Sequence, residues 1–239
     1  MKKLSKVKSY NTFVSLPFRI GMWLVLLCYE ALLIYLANAG AGTVSAGFFN
    51  MASVSVSMLS IFIFGMADAY MFRGLYRADA ITAEVFKTSA LGKRFFYNVI
   101  HMDLLTRFLW YVAVNLICPL PVVLMKSGKG EMYSFIIMGA YAAIAAFSMN
   151  MAAILISRLS KSLTFIIPMQ YVPTLGMLPA LYSMFGNIVV GDILKRPVFY
   201  ILYAIYFVLM ITFGLLHLHK TGQLVDIKWF FDDMEAAKQ

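Results

Sequence analysis

Long apolar runs alternate with short polar intervals along most of this chain. At a helical rise of about 1.5 Å per residue, each run is long enough to cross a hydrocarbon layer of about 30 Å. The six runs cover residues 18–39, 43–72, 104–125, 132–157, 163–194 and 198–217. The pattern predicts an all-α membrane protein with six transmembrane helices, forming a single domain over residues 1–239.

The fifth run is irregular, because Pro168, Pro173, Gly176 and Pro179 interrupt it. One straight helix is not expected there. One interpretation is a kinked helix to about residue 182, followed by a short re-entrant or interfacial segment over 186–194. The other is a tilted, proline-kinked helix with an ordinary loop.

Composition and charge support the membrane assignment. The chain is 62% hydrophobic with a mean hydropathy of +0.81, and 13% of its residues are charged against about 25% in soluble domains. The net charge of +9 does not indicate nucleic-acid binding, because the basic residues lie at the ends of apolar runs. With the N-terminus inside, only four of the 20 basic residues fall outside, which predicts that both termini are cytoplasmic. These four are Lys126, Lys129, Lys195 and Arg196.

The first 16 residues are basic and contain Tyr10, Phe13 and Val14 at helical spacing. This pattern favours a short helix lying in the membrane interface, with a change of direction at Pro17. A disordered basic leader that only sets topology fits the same residues equally well.

Several polar residues interrupt the apolar runs, where they are costly and therefore informative. Glu30 lies midway along the first run; it is either a polar contact in a transport path or a protonated side chain bonded to a neighbouring helix. The second run carries a stripe that could line a substrate path or mediate helix packing, including packing against a second copy. The stripe consists of Asn50, Ser53, Ser57, Ser60 and Asp68.

The longest polar interval, residues 67–107, lies between the second and third runs and is predicted to be cytoplasmic. Asp79 is a candidate N-cap for a short helix, and Ser89 for a second one that leads into the third run. The turn between them, around Lys87, is rich in basic and aromatic residues. No catalytic, metal-binding or Walker A motif occurs, so the chain is not predicted to be an enzyme or to bind a cofactor.

The segment Glu84-Val-Phe-Lys-Thr-Ser-Ala-Leu-Gly-Lys-Arg-Phe-Phe resembles the cytoplasmic segment between the second and third spans of bacterial ABC-2 type permeases. Ala90 stands where that family usually has proline. The resemblance implies a dimeric transmembrane subunit on which separate ATPase chains dock through a coupling helix, here about residues 79–88. The implied docking residues are Asp79, Glu84, Phe86, Lys87, Thr88, Ser89, Leu91, Lys93 and Arg94.

The resemblance further implies an ATP-driven exporter in the bacterial plasma membrane, moving a peptide, lipid or drug-like amphipathic substrate. ATP and Mg²⁺ would be bound by the partner ATPase, and the second permease would be identical or homologous. Two alternatives remain open: a non-transport immunity or scaffold protein, and a secondary transporter that uses Glu30 or Asp68 as a proton site.

Overall fold

A computed structural model describes residues 6–39, 46–76, 90–126, 129–159, 168–190 and 193–225. Within these ranges the chain is helical apart from short turns, and no strand occurs. The helices are α1 (Lys6–Phe13), α2 (Leu16–Ala39), α3 (Ala46–Tyr76), α4 (Ala90–Val112), α5 (Leu120–Lys126), α6 (Lys129–Leu159), α7 (Tyr171–Leu175), α8 (Leu178–Val190) and α9 (Pro197–Val225). A π-turn, Ala113–Ile117, follows α4, and a 3₁₀ turn, Ile193–Lys195, precedes α9.

Five helical segments are long and apolar enough to cross a membrane, which confirms the prediction of an α-helical protein and is compatible with a multi-pass membrane protein. They are Leu16–Asn38, Phe48–Asp68, Tyr97–Met125, Met132–Arg158 and Pro197–His219. These agree closely with five of the six predicted runs. The remaining run, 163–194, contains the two shorter helices α7 and α8 within its described part.

Helix α6 is the centre of the bundle and packs against α3, α4 and α9. Of its apolar window 67% is buried inside the chain, against 17% for α2 and 11% for α9. Small residues line its buried surface and let neighbouring backbones approach closely, which is a common device in membrane helix packing. They include Ala142, Ala143, Ala145 and Ala146.

The predicted irregularity of the fifth run is present as a break at Gly176 and Met177, between α7 and α8. Pro179 is the second residue of α8, a position in the first turn where proline is tolerated. Helix α8 then continues to Val190, so the helix end expected near residue 182 in one interpretation does not occur there.

The broken region runs antiparallel to α6. The Gln170 side chain contacts Ser157, near the end of α6, whereas Gly176 lies against Met149, about two turns earlier. The Tyr206 hydroxyl of α9 donates a hydrogen bond of 2.6 Å to the carbonyl oxygen of Gly176, at the break. This bond satisfies a carbonyl that the interrupted helix leaves available.

We expect Tyr206→Phe to lower the free energy of unfolding by about 0.6–1 kcal/mol, because the Gly176 carbonyl loses its donor. Tyr200→Phe is the matched control, since Tyr200 is exposed on the same helix. Thermal unfolding in detergent micelles measures both. Equal losses in the two variants would show that the Tyr206 bond contributes nothing to stability.

The π-turn packs against α6 and α3, with Val114 and Asn115 buried. Its closing bond runs from the Cys118 amide to the Ala113 carbonyl, at 2.9 Å, and Pro119 follows directly. A π-turn accommodates the approach to a proline by shifting one backbone bond. The turn places the Asn115 backbone against α6 at Gly139, where a methyl group would lie 2.7 Å from the Asn115 carbonyl oxygen.

A buried charge cluster at one end of the helix bundle

Four ionisable side chains from three helices meet at one end of the bundle. Asp68 lies on α3, Asp103 and Arg107 on α4, and Arg158 on α6; we call these four residues the charge cluster. Each side chain is 4% exposed or less. Asp68 and Arg158 are the last residues of two apolar helical segments, so both segments end at the same level.

Asp68 accepts hydrogen bonds from both arginines. Its Oδ1 atom accepts from Arg107 Nη2 at 2.9 Å and from Arg158 Nη2 at 2.8 Å. Its Oδ2 atom accepts from Arg158 Nε at 3.1 Å, so the Arg158 contact is bidentate. Charge-assisted bidentate pairs are among the strongest hydrogen bonds in proteins and fix the orientation of both groups.

Asp103 completes the charge cluster. Its Oδ2 atom accepts from Arg107 Nε, four residues along the same helix, and from Arg158 Nη2, both at 2.9 Å. The Arg107 guanidinium also lies 5.3 Å from the centre of the Phe64 ring, in cation–π contact. Among the described residues, two carboxylates thus contact two guanidinium groups, and this pairing of opposite charges reduces the cost of burial.

His217 of α9 adjoins the charge cluster. Its Nε2 atom lies 3.3 Å from Arg158 Nη1. A guanidinium nitrogen can only donate, so Nε2 accepts and the imidazole is neutral in this arrangement. Arg158 therefore connects α6 to α3, α4 and α9.

A layer of uncharged contacts lies beside the charge cluster. The Ser157 hydroxyl donates to the Gly65 carbonyl at 2.9 Å and accepts a 2.8 Å bond from Gln170 Nε2. Gln170 Nε2 also donates to the Ala153 carbonyl at 3.2 Å. The Gln170 side chain lies directly against Gly65, where a side chain would collide with it. These contacts attach the start of the broken region to α3 and α6.

The N-terminal helix α1 packs along α4, next to the charge cluster. Tyr10 and Val14 are buried in this contact. Burial raises the pKa of the Tyr10 phenol, and the nearby Asp103 carboxylate raises it further, so the hydroxyl remains protonated at neutral pH. Helix α1 forms over Lys6–Phe13, in a segment where the sequence allowed either a helix or a disordered leader.

All five stripe residues are buried within the chain, and most contact other helices directly. Ser53 shares a 2.7 Å hydrogen bond with the Tyr29 hydroxyl of α2, and Ser57 accepts one of 2.8 Å from Asn115. Ser60 accepts one of 3.1 Å from Trp110. Asn50 is buried as well, and Asp68 belongs to the charge cluster.

Glu30 lies apart from the charge cluster. It is half-buried on α2 and follows Tyr29, whose hydroxyl contacts Ser53 of α3. Ser53 is 15 positions before Asp68, so this contact is about 22 Å along α3 from the charge cluster. Among the described residues no cation forms an ion pair with it.

Most of the implied docking segment lies outside the described residues, so its predicted helix and turn stay predictions. This applies to Asp79, Glu84, Phe86, Lys87, Thr88 and Ser89. Leu91 and Lys93 belong to the first turn of α4, which begins at Ala90, and Arg94 is exposed.

From the sequence alone, Arg107 and Arg158 are only topology signals, and Asp103 is not among the predicted site residues. Two signals could have identified them. Asp103 and Arg107 are spaced i, i+4 on a predicted helix. Asp68 lies near the end of the second run and Arg158 directly follows the fourth, on the same predicted side of the membrane. Opposite buried charges at one depth are expected to pair.

No known protein family, curated protein sequence or solved structure matches the chain. Within the described ranges no three potential metal ligands among His, Cys, Asp and Glu come together. The class of protein that the fold defines is therefore an α-helical protein compatible with a multi-pass membrane location, with a buried charge cluster at one end.

Proposed function

We propose that this chain is the transmembrane permease subunit of an ATP-driven exporter of the ABC-2 type. It works as one of two permease copies in a bacterial plasma membrane, and separate ATPase chains supply the energy. Its cargo is an amphipathic peptide, lipid or drug-like molecule. The support is the ABC-2-like segment between α3 and α4, together with the way these two helices are joined to the rest of the bundle.

The observation that carries the proposal is the link from α3 and α4 to α6 through the charge cluster. Residues 77–89 connect α3 to α4, and both helices contribute charges that bond to Arg158. A partner that pushes on this connection would move Asp68 and Asp103 relative to α6. Movement at the docking segment is thereby converted into movement at the end of the membrane bundle, which is what an energised permease requires.

The directions of the helices support a proposal of six membrane crossings. Arg158 and His217 are in contact, so α6 and α9 run toward the same end of the bundle. The chain between them must return to the opposite end before α9 begins. The antiparallel course of residues 170–176 along α6, continued by α8, supports this return as a sixth, broken crossing. With six crossings, both termini lie on the same side of the membrane. The distribution of basic residues indicates that this side is the cytoplasm.

Simultaneous charge reversal at Lys87, Lys93 and Arg94 should uncouple ATP hydrolysis from transport. We expect transport in vesicles to fall about tenfold or more while the ATPase chain still hydrolyses ATP, because about 1.4 kcal/mol of coupling free energy is lost. The matched control reverses three basic residues of the predicted outer side, Lys126, Lys195 and Arg196. Wild-type transport in the first variant, or equal loss in both, would refute the docking assignment.

A pH gradient separates the exporter from a secondary transporter. The exporter is expected to transport with ATP alone and to retain activity in Glu30→Gln. A secondary transporter that uses Glu30 as its proton site would lose pH-driven uptake in that variant. A scaffold protein would show neither activity and would have no ATPase partner.

A further inference from the structure

We propose that the charge cluster is the closed cytoplasmic gate of the translocation path. The proposal deepens the proposed function and rests on it for the cytoplasmic side and for the source of force. The charge cluster joins α3, α4 and α6 near one end of their apolar segments, and His217 adds α9. The four charged side chains are almost fully buried, so this contact is closed to solvent in the structure.

The chemistry of the charge cluster suits a contact that opens. A buried ion pair seldom stabilises a fold more than well-packed apolar side chains of similar volume. Charged side chains are therefore not the expected choice for a contact that never opens. An open charge cluster would lose its mutual bonds but regain water around each ion. The free-energy difference between the closed state and an open, hydrated state is therefore smaller than the difference between the closed state and a state in which the charges face lipid. This property is required of a gate that opens onto water.

The connectivity indicates which bonds would break. Asp103 and Arg107 lie one turn apart on α4, and their bond moves with that helix. The Asp68–Arg107 bond joins α3 to α4, and the bonds of Arg158 join α6 to both. Separation of the three helices at this level therefore breaks the bonds of Asp68 and Arg158 and leaves the Asp103–Arg107 pair intact.

Residues beneath the gate provide a reporter. Ser60 is buried on α3, about 12 Å along the helix from Asp68, and accepts a bond from Trp110 of α4. It lies at the α3–α4 contact that the gate would expose. Ser183 is equally buried but belongs to α8, and its hydroxyl donates a hydrogen bond to the Pro179 carbonyl of the same helix. The two serines form a matched pair of reporter positions.

The test uses the full chain with Cys28 and Cys118 replaced by alanine and a single reporter, Ser60→Cys or Ser183→Cys. A membrane-impermeant maleimide is applied to the cytoplasmic face of inside-out vesicles. Asp68→Asn should raise the labelling rate at position 60 about tenfold and leave position 183 unchanged. Asp103→Asn should raise it less, because Asp68 still pairs with both arginines. Glu30→Gln makes the same chemical change outside the charge cluster and should have no effect.

The proposal is overturned if labelling at position 60 is unchanged in both variants, or if positions 60 and 183 rise together, which would indicate general loosening. If Asp68→Asn does not yield a folded, monodisperse protein, Asp103→Asn decides the question by the same readout. The assay contains no ATPase. An absent ATPase partner would refute the proposed function without altering the labelling result, so the two failures are distinguishable.

Discussion

Asp68→Asn should lower the free energy of unfolding by about 3–5 kcal/mol, the usual cost of removing one partner from a buried ion pair. The asparagine keeps the shape of the aspartate but lacks its charge. Arg107 and Arg158 would then share the single carboxylate of Asp103 in a site that excludes water. Unfolding by SDS titration in mixed micelles measures the change.

Two comparisons distinguish the loss of ion pairs in the charge cluster from the general effect of removing one negative charge. Glu30→Gln should change stability by less than about 0.5 kcal/mol, because Glu30 is half-buried and in no ion pair among the described residues. The double variant Asp68→Asn with Arg158→Gln should lose less free energy of unfolding than the two single variants together, because either substitution alone already breaks the bonds between these residues. Additive losses would contradict the pairing that we describe.

Gly139→Ala should lower the free energy of unfolding by about 1–3 kcal/mol, the range typical of overpacking. The new methyl group would lie 2.7 Å from the Asn115 carbonyl oxygen and 2.6 Å from Leu116 Cδ2. The leucine could rotate, but the carbonyl is fixed by the π-turn. Helix α6 and the turn would therefore have to separate. Thermal and SDS unfolding both report the effect.

Gly214→Ala is the control for this substitution. Gly214 lies in α9, and nothing is within 4 Å of the position that its methyl group would occupy. Alanine is the better helix former, so we expect no loss and a gain of up to about 1 kcal/mol. A loss at Gly214 as large as that at Gly139 would show that the close approach to Asn115 does not govern the result.

Helix identity was predictable because it depends on local patterns. Five of the runs correspond to five long helical segments, whose ends differ from the prediction by up to seven residues and of which the third contains the π-turn. Length and apolarity alone determine whether a segment suits a membrane. The break near Gly176 was also signalled by its prolines. The extent of α8 was not, because Gly186 within a packed helix is tolerated despite its low propensity.

The charge cluster could not be read from the chain as easily, because its members are separated by 35 to 90 positions apart from the Asp103–Arg107 pair. Periodicity placed Asp68 on the correct face of α3, but it carries no information about which helix lies opposite. Arg107 and Arg158 also fit the rule that basic residues are enriched on the cytoplasmic side. Because that rule already accounts for them, the sequence gives no separate sign that they pair with Asp68. Tertiary packing alone brings them together.

The most direct test of the proposed function is cross-linking in native membranes. A photoreactive residue replaces Lys87 in the docking segment and, as a control, Lys195 on the predicted outer side. We predict that Lys87 cross-links to an ABC-type ATPase encoded beside this chain, that Lys195 does not, and that the two proteins co-purify as a complex that hydrolyses ATP. A chain that purifies without an ATPase and forms no such cross-link at Lys87 would contradict the proposal.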